Sequence, residues 1–392
     1  MANLINNFQL LSKPTGSICN LDCEYCFYLE KEKLYPDRKS NWKMDLNTLE
    51  NYIRKNIQSQ SADVVDFIWQ GGEPTLAGLD FYKTAVYFQK KYGGNKKINN
   101  FFQTNGVGLT DEWAIFFREN NFLIGVSIDG GPQENNHYRK TKSGKDTYYL
   151  VKKAIDLLIA FDVEFNTLTV VSDINVDAPL DLYETLKKLG SRYMQFIPLV
   201  ERIANTPTEE GLYIIKPDFT GESDVAPWSV PNSKYGRFLN EIFDYWYKHD
   251  IGNYFVMNFE QTMTQLIGGC GICVFEPECG ANLALEANGD VYSCDHFVFP
   301  ENKIGNINQD ELTEIVNSDQ QLVFSKSKLK DIDKECLTCT VREVCNGGCP
   351  KHRILLSDNG LRNKNYLCKS YKEHFSHVLP HMKVIINNIL NE

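Results

Sequence analysis

Three cysteines, Cys19, Cys23 and Cys26, stand at spacings of four and three near the start of the chain. If their thiolates hold a four-iron cluster, one iron is left without a protein ligand. A small molecule can coordinate at that open position, whereas a closed four-cysteine site mostly transfers electrons or stabilises the fold. The competing reading is three structural or zinc-binding cysteines on a loop. Eight more cysteines, Cys273, Cys279, Cys294, Cys336, Cys339, Cys345, Cys349 and Cys368, make up two sets of four. Two closed sites account for them, and iron-sulfur clusters or zinc could fill both. Cys270 is left over, either as a free buried thiol, the default for an unpaired cysteine, or as a substitute for Cys273. The first twenty residues show no basic start, apolar run or cleavage site, so a cytoplasmic location is expected. There, densely spaced cysteines ligate metal more often than they pair.

For such side chains to converge, a scaffold must set several loops side by side. Between residues 8 and 200 short apolar runs alternate with longer amphipathic segments, the pattern of parallel strands joined by crossover helices. Strands are predicted over 8–13, 64–70, 99–104, 122–128, 163–171 and 193–199. Helices are predicted over 45–59, 79–92, 110–120, 146–161 and 179–188, with 233–249 as the last. Six strand-helix units make an α/β fold, a partial (β/α)6 barrel, followed by a C-terminal Cys-rich domain for auxiliary clusters. Reactive groups in such barrels sit on loops beyond the carboxyl ends of the strands, and the three-cysteine loop follows the first strand.

The domains are expected at 1–250 and 251–392, with a Pro- and Gly-containing stretch, 201–231, as an ordered insertion or linker. Residues 270–368 show few periodic segments, as expected where metal sites rather than a large apolar core fix the backbone. A last helix is predicted over 369–390 with a kink at Pro380. The 392 residues carry a net charge of −10, which argues against a nucleic-acid partner. No stretch approaches the roughly 18 apolar residues of a membrane span.

The segment Cys19-Asn20-Leu21-Asp22-Cys23-Glu24-Tyr25-Cys26 resembles the cluster loop of the radical S-adenosylmethionine superfamily. That resemblance implies that S-adenosylmethionine sits on the open iron and that its one-electron reduction releases a 5′-deoxyadenosyl radical. Gln70-Gly71-Gly72-Glu73-Pro74, after the second predicted strand, is similar to the superfamily's glycine-rich motif, whose backbone can approach the cofactor's amino group because Gly has no side chain. By the same resemblance Tyr25, Gly72, Ser127, Arg139 and Leu199 fall where relatives contact the cofactor. Arg139 has the planar fork to pair with a carboxylate, against the plainer reading of a surface ion pair.

The run Cys336, Cys339, Cys345, Cys349 with the later Cys368 looks like the SPASM extension, which in relatives binds two auxiliary [4Fe-4S] clusters with interleaved ligands. The resemblance assigns Cys273, Cys279, Cys294 and Cys349 to one and Cys336, Cys339, Cys345 and Cys368 to the other, for three [4Fe-4S] clusters in all. Cys294-Asp295-His296, together with the start of the chain, Gln103-Thr104-Asn105-Gly106 and Tyr366-Leu367-Cys368, resembles the anaerobic sulfatase-maturating enzymes. These oxidise one Cys or Ser of a sulfatase to formylglycine. The partners so implied are an unfolded or extended sulfatase polypeptide and an electron donor such as a flavodoxin or ferredoxin.

Asp295 matches the family's catalytic aspartate, and its pKa is expected to be raised by burial and nearby negative charge; the plainer reading is an Asp capping a turn. His296 is either a second base or, more plainly, a residue that orients its loop. Tyr28 and Gln70 match positions near the substrate, though Tyr28 could simply pack and Gln70 could brace the glycine turn. His374, His377 and His381 share a helical spacing, but Pro380 interrupts their face and they are not taken as a metal site. Two rival functions stand beside formylglycine synthesis. One is a radical maturase that crosslinks or epimerises a ribosomal peptide, against which Asp295 speaks; the other is an electron carrier, which gains nothing from an open iron.

Overall fold

The computed structural model describes residues 8–35 and 42–391. Residues 1–7, which begin both the segment read as lacking a leader and the first predicted domain, lie outside the described residues, as do 36–41 and 392. Six parallel strands form the centre: β1 Gln9–Ser12, β2 Val64–Trp69, β3 Lys97–Thr104, β4 Phe122–Ser127, β5 Phe165–Val171 and β6 Tyr193–Pro198. The connecting helices are α1 Leu46–Ser59, α2 Leu79–Gly93, α3 Asp111–Glu119, α4 Pro132–Tyr138, α5 Tyr148–Ala160 and α6 Pro179–Lys188; α7 Tyr235–His249 follows β6. Alternation explains the strands: Val65, Phe67 and Trp69 of β2 are buried while their neighbours are not. Capping sets the first helix, where the Asp45 carboxylate accepts the Thr48 N–H at 2.7 Å. The seven-residue α4 was not predicted.

The predicted linker is an ordered insertion. Its strands β7 Arg202–Ala204 and β8 Ser223–Val225 pair antiparallel, and Glu30 beside the cluster loop accepts the N–H groups of Tyr213 and Ile214, both at 2.9 Å. After α7 come β9 Phe255–Val256, β10 Asn282–Leu285, β11 Asp290–Tyr292 and β12 Lys303–Asn306. These last strands were unpredicted, and they do not stand apart. β10 pairs in parallel with β1, placing Ser12 against Leu285, while β11 and β12 continue the same sheet antiparallel.

That join positions chemistry. Lys13 and Glu286 emerge side by side from neighbouring strand ends, with the Lys13 N–H bonded to the Leu285 carbonyl at 2.8 Å. Asp295 returns to the same place three residues after β11. The C-terminal helix, Cys368–Asn391, runs through Pro380 and lies along α7. There His374 and His377 bond Asn240 at 2.8 Å and Asp244 at 2.7 Å. Among the described residues no helix is long and apolar enough to cross a membrane.

Candidate active site

The cluster loop follows β1 and is fastened to the ends of β2 and β3. The Gly72 N–H bonds the Gly16 carbonyl and the Glu73 N–H bonds the Ile18 carbonyl, both at 2.8 Å. A Cβ on Gly72 would stand 2.1 Å from the Ile18 carbonyl oxygen, so glycine is required there for close packing of two backbones. Gly72→Ala is therefore expected to displace the cluster loop, at a cost of at least about 1–3 kcal/mol for overpacking. Iron analysis after anaerobic reconstitution should show one cluster lost.

Glu73 is fully buried and ties the same loops together. It accepts the Asn105 N–H at 2.9 Å and hydroxyls of Thr75 and Thr104 at 2.7 and 2.8 Å. Asn105 in turn donates to Asn20 at 2.8 Å and reaches the Cys19 sulfur at 3.7 Å. The thiols of Cys19, Cys23 and Cys26 lie close enough to act on one another's charge. Burial pushes Cys19 up to about 11 and Cys23 to about 12 and also raises Cys26, with the Arg139 charge opposing it at all three. Burial thus keeps these thiols protonated on their own, and only a positive partner such as a metal cluster would hold them as thiolates.

Beside the loop, Tyr25, Asp129 and Arg139 form a buried triad. The Tyr25 hydroxyl donates to Asp129 at 2.5 Å and accepts from Arg139 Nη1 at 2.9 Å. Arg139 Nε, also buried, has no partner among the described residues. An orphaned guanidinium donor next to three cysteines fits a cofactor that brings its own carboxylate. Ser127, at the end of β4, accepts from Gln103 at 2.8 Å and keeps its proton to donate. Leu199 packs with Tyr25 and Tyr138, and it lines with Tyr25, Cys26, Phe27, His296 and Lys351 a cavity of about 210 Å³.

Asp295 stands across from the loop. Its Oδ1 is 2.5 Å from Lys13 Nζ, and the side chain is 20 % exposed against 2 % for Lys13. Burial alone would push this carboxyl up, but the Lys13 charge beside it outweighs burial and holds it below the usual carboxylate range. The expectation of a raised pKa is thus corrected, because the lysine that pairs with Asp295 lies at the other end of the sequence. Lys13 Nζ also lies 4.0 Å above the centre of the Tyr28 ring, and the Tyr28 hydroxyl donates to Glu286. Burial pushes Glu286 up to about 7, against Lys13 and Tyr28. Gln70 is half-buried, with its N–H on the Ser12 carbonyl at 2.9 Å.

His296 meets the Phe27 ring edge-on at 5.7 Å, and its Nδ1 lies 3.7 Å from the Cys349 sulfur. Lys351 sits over Phe27 and pairs with buried Glu201, joining the end of the barrel to the cysteine-rich region. Glu201→Gln leaves Lys351 buried without an anion, and a loss of about 3 kcal/mol is expected. A lower urea midpoint for the anaerobically loaded protein would show it. Lys13, Glu286, Glu201 and Lys351 had all escaped the sequence reading. The one available signal was charge directly after an apolar strand, at Lys13 and Glu286.

The remaining cysteines gather in fours. Cys273, Cys279 and Cys294 each feel the charge of Cys349, and Cys279 and Cys294 also that of Cys273. Cys336, Cys339, Cys345 and Cys368 line one cavity. Cys270 is exposed, which corrects the expectation of a buried thiol. Among the described residues no three His, Cys, Asp or Glu side chains close up as one metal ion requires.

Residues 14–186 match the radical SAM superfamily and residues 273–340 match an iron-sulfur cluster-binding domain. The chain is 42% identical to the serine-type anaerobic sulfatase-maturating enzyme of Bacteroides thetaiotaomicron, covering 98% of this chain and 92% of that protein. It is 35% identical to the cysteine-type enzyme of Clostridium novyi, covering 95% of each. A solved structure, native anSMEcpe with bound AdoMet and a Kp18Cys peptide, superposes with a TM-score of 0.84 at 31% identity, covering 97% of this chain and 99% of that one.

Proposed function

The chain belongs to the anaerobic sulfatase-maturating enzymes, and we infer that it oxidises one Cys or Ser of a sulfatase to 3-oxoalanine (formylglycine). The observation that carries this is the placement of a three-cysteine loop and an ion-paired Asp295 on loops at the same end of one sheet. Held by Cys19, Cys23 and Cys26, a cluster with bound S-adenosylmethionine would supply a 5′-deoxyadenosyl radical able to take a hydrogen atom from the target β-carbon.

The chain's own residues do the rest. Cys19, Cys23 and Cys26 hold the cluster with the open iron. Arg139 offers its unpaired Nε to the cofactor carboxylate, Tyr25 and Asp129 hold that guanidinium in place, and the Ser127 hydroxyl, the Gly72 backbone and Leu199 complete the pocket. Asp295 takes the thiol or hydroxyl proton of the target. Gln70 holds the extended target peptide by its amide, and Tyr28 borders it by its ring. Loss of one hydrogen atom, of one proton to Asp295 and of one electron, which an auxiliary cluster would accept, turns the serine side chain into the aldehyde; for cysteine, water then replaces the sulfur, which leaves as hydrogen sulfide.

Cys273, Cys279, Cys294 and Cys349 hold the first auxiliary cluster and Cys336, Cys339, Cys345 and Cys368 the second. Residues 1–250 make the catalytic barrel and 251–392 the auxiliary domain, which shares the barrel's sheet through β10. A flavodoxin or ferredoxin supplies electrons. All twelve cysteines are unbridged, which suits a reducing compartment, and we place the enzyme in the cytoplasm.

The test is anaerobic incubation of the reconstituted protein with S-adenosylmethionine, dithionite and two sulfatase-type peptides, one with Cys and one with Ser at the target position, read by mass spectrometry. A peptide mass matching formylglycine supports the reading. 5′-Deoxyadenosine without a changed peptide moves the substrate elsewhere and favours the crosslinking or epimerising alternative. No 5′-deoxyadenosine overturns the radical reading.

A further inference from the structure

We propose that Lys13 is a positioning residue for the base: it pins the Asp295 carboxylate through Oδ1, leaving Oδ2 to take the proton from the substrate. The inference rests on the reading of Asp295 as that base. Lys13 is 1% exposed at the end of β1, and it is the cation the structure gives Asp295, at 2.5 Å. Its own place is fixed from two sides. The face of Tyr28 lies 4.0 Å below the ammonium, and Glu286, bonded by the Tyr28 hydroxyl, supplies a second carboxylate at the adjacent strand end.

A lysine buried this deeply is an expensive way to fill space, since an apolar side chain of equal volume serves a core as well or better. What an apolar side chain does not provide is a fixed charge against a carboxylate that follows a three-residue strand on a short loop. Asp295 sits in a turn of three residues, Asp295–Phe297, with no side-chain cap at its start. The parallel register of β1 with β10 brings strand rigidity to that loop through Lys13. A carboxylate held at one oxygen keeps one rotamer, and proton transfer demands that the second oxygen come within hydrogen-bond reach of the substrate.

The experiment compares Lys13→Met, Lys13→Arg, Asp295→Asn and the double variant Lys13→Met with Asp295→Asn, all anaerobically reconstituted. Four readouts are taken: iron content, peptide affinity by fluorescence anisotropy, 5′-deoxyadenosine and formylglycine. Lys13→Met is expected to keep wild-type iron and to bind peptide within about threefold of wild type, while kcat for formylglycine falls about 100-fold. 5′-Deoxyadenosine should fall much less, so that the cofactor is cleaved without product. Lys13→Arg should recover most of the loss. The double variant should be no slower than Asp295→Asn alone, because a residue that acts through Asp295 has nothing left to position.

Parallel loss of 5′-deoxyadenosine and formylglycine, or losses that multiply in the double variant, would overturn the proposal. Failure of both Lys13 variants to take up iron would assign Lys13 to the fold and overturn it as well. Full conversion by Asp295→Asn would remove the base, and the positioning role with it. An inactive Asp295→Asn beside a wild-type-like Lys13→Met would remove the positioning role alone.

Discussion

Cys23→Ala is expected to stop 5′-deoxyadenosine formation, by about 10³-fold or more, while leaving the rest of the enzyme folded. Two thiolates cannot hold a four-iron cluster firmly, and the bound cofactor has no other electron source. The loss should appear in iron as well as in activity, falling from about twelve to about eight atoms per chain, as four leave with one cluster of three. The cysteine-rich region has its own ligands and its own place in the sheet through β10, so the auxiliary clusters should load normally. Cys349→Ala makes the contrast. It removes one ligand of the first auxiliary set and should leave cofactor cleavage in place while lowering peptide conversion. A Cys23→Ala protein that still releases 5′-deoxyadenosine at the wild-type rate would show that the cofactor binds elsewhere.

The asymmetry between what the sequence disclosed and what it hid follows from the range of each signal. Cys19, Cys23 and Cys26 lie within eight residues, so their spacing states their purpose directly. The longer barrel strands β2 to β6, such as β2 with its alternation of buried Val65, Phe67 and Trp69, announce themselves by period. By contrast β10, β11 and β12 are three or four residues long, too short for a period to develop. Their role as a continuation of the barrel sheet beyond β1 is set by pairing across most of the chain.

The same range explains the error about Asp295. A carboxylate beside a cysteine ligand reads locally as one surrounded by negative charge, and only the fold brings Lys13 to it. Lys351 and Glu201 were hidden for the same reason, since each charge alone looks like any surface residue. The cysteine groupings were legible through resemblance rather than geometry. The proposed interleaving is compatible with the backbone there: Cys345 and Cys349 flank a turn with Asn346, Gly347 and Gly348 all at positive φ, which would let neighbouring cysteines face different clusters.

Asp295→Asn bears on the chemistry itself, and it should separate the two halves of the reaction. Asparagine has the shape of the aspartate and accepts hydrogen bonds, yet it cannot take up a proton at neutral pH. Cys19, Cys23, Cys26, Tyr25 and Arg139, which we propose for cofactor binding and cleavage, make no ion pair with Asp295, whose cation is Lys13, so 5′-deoxyadenosine should still form. Formylglycine should fall by about 10²–10⁴-fold, the range a positioned base contributes. The change also strips buried Lys13 of a carboxylate, which a purely catalytic account ignores. The Tyr28 ring stays under the ammonium at 4.0 Å and Glu286 remains near enough for their charges to interact, so the variant should hold its iron. Peptide affinity decides between the two effects. Unchanged affinity with lost conversion places Asp295 in the proton transfer, whereas weakened affinity in proportion to the lost rate would make it a peptide contact and leave the base to another group.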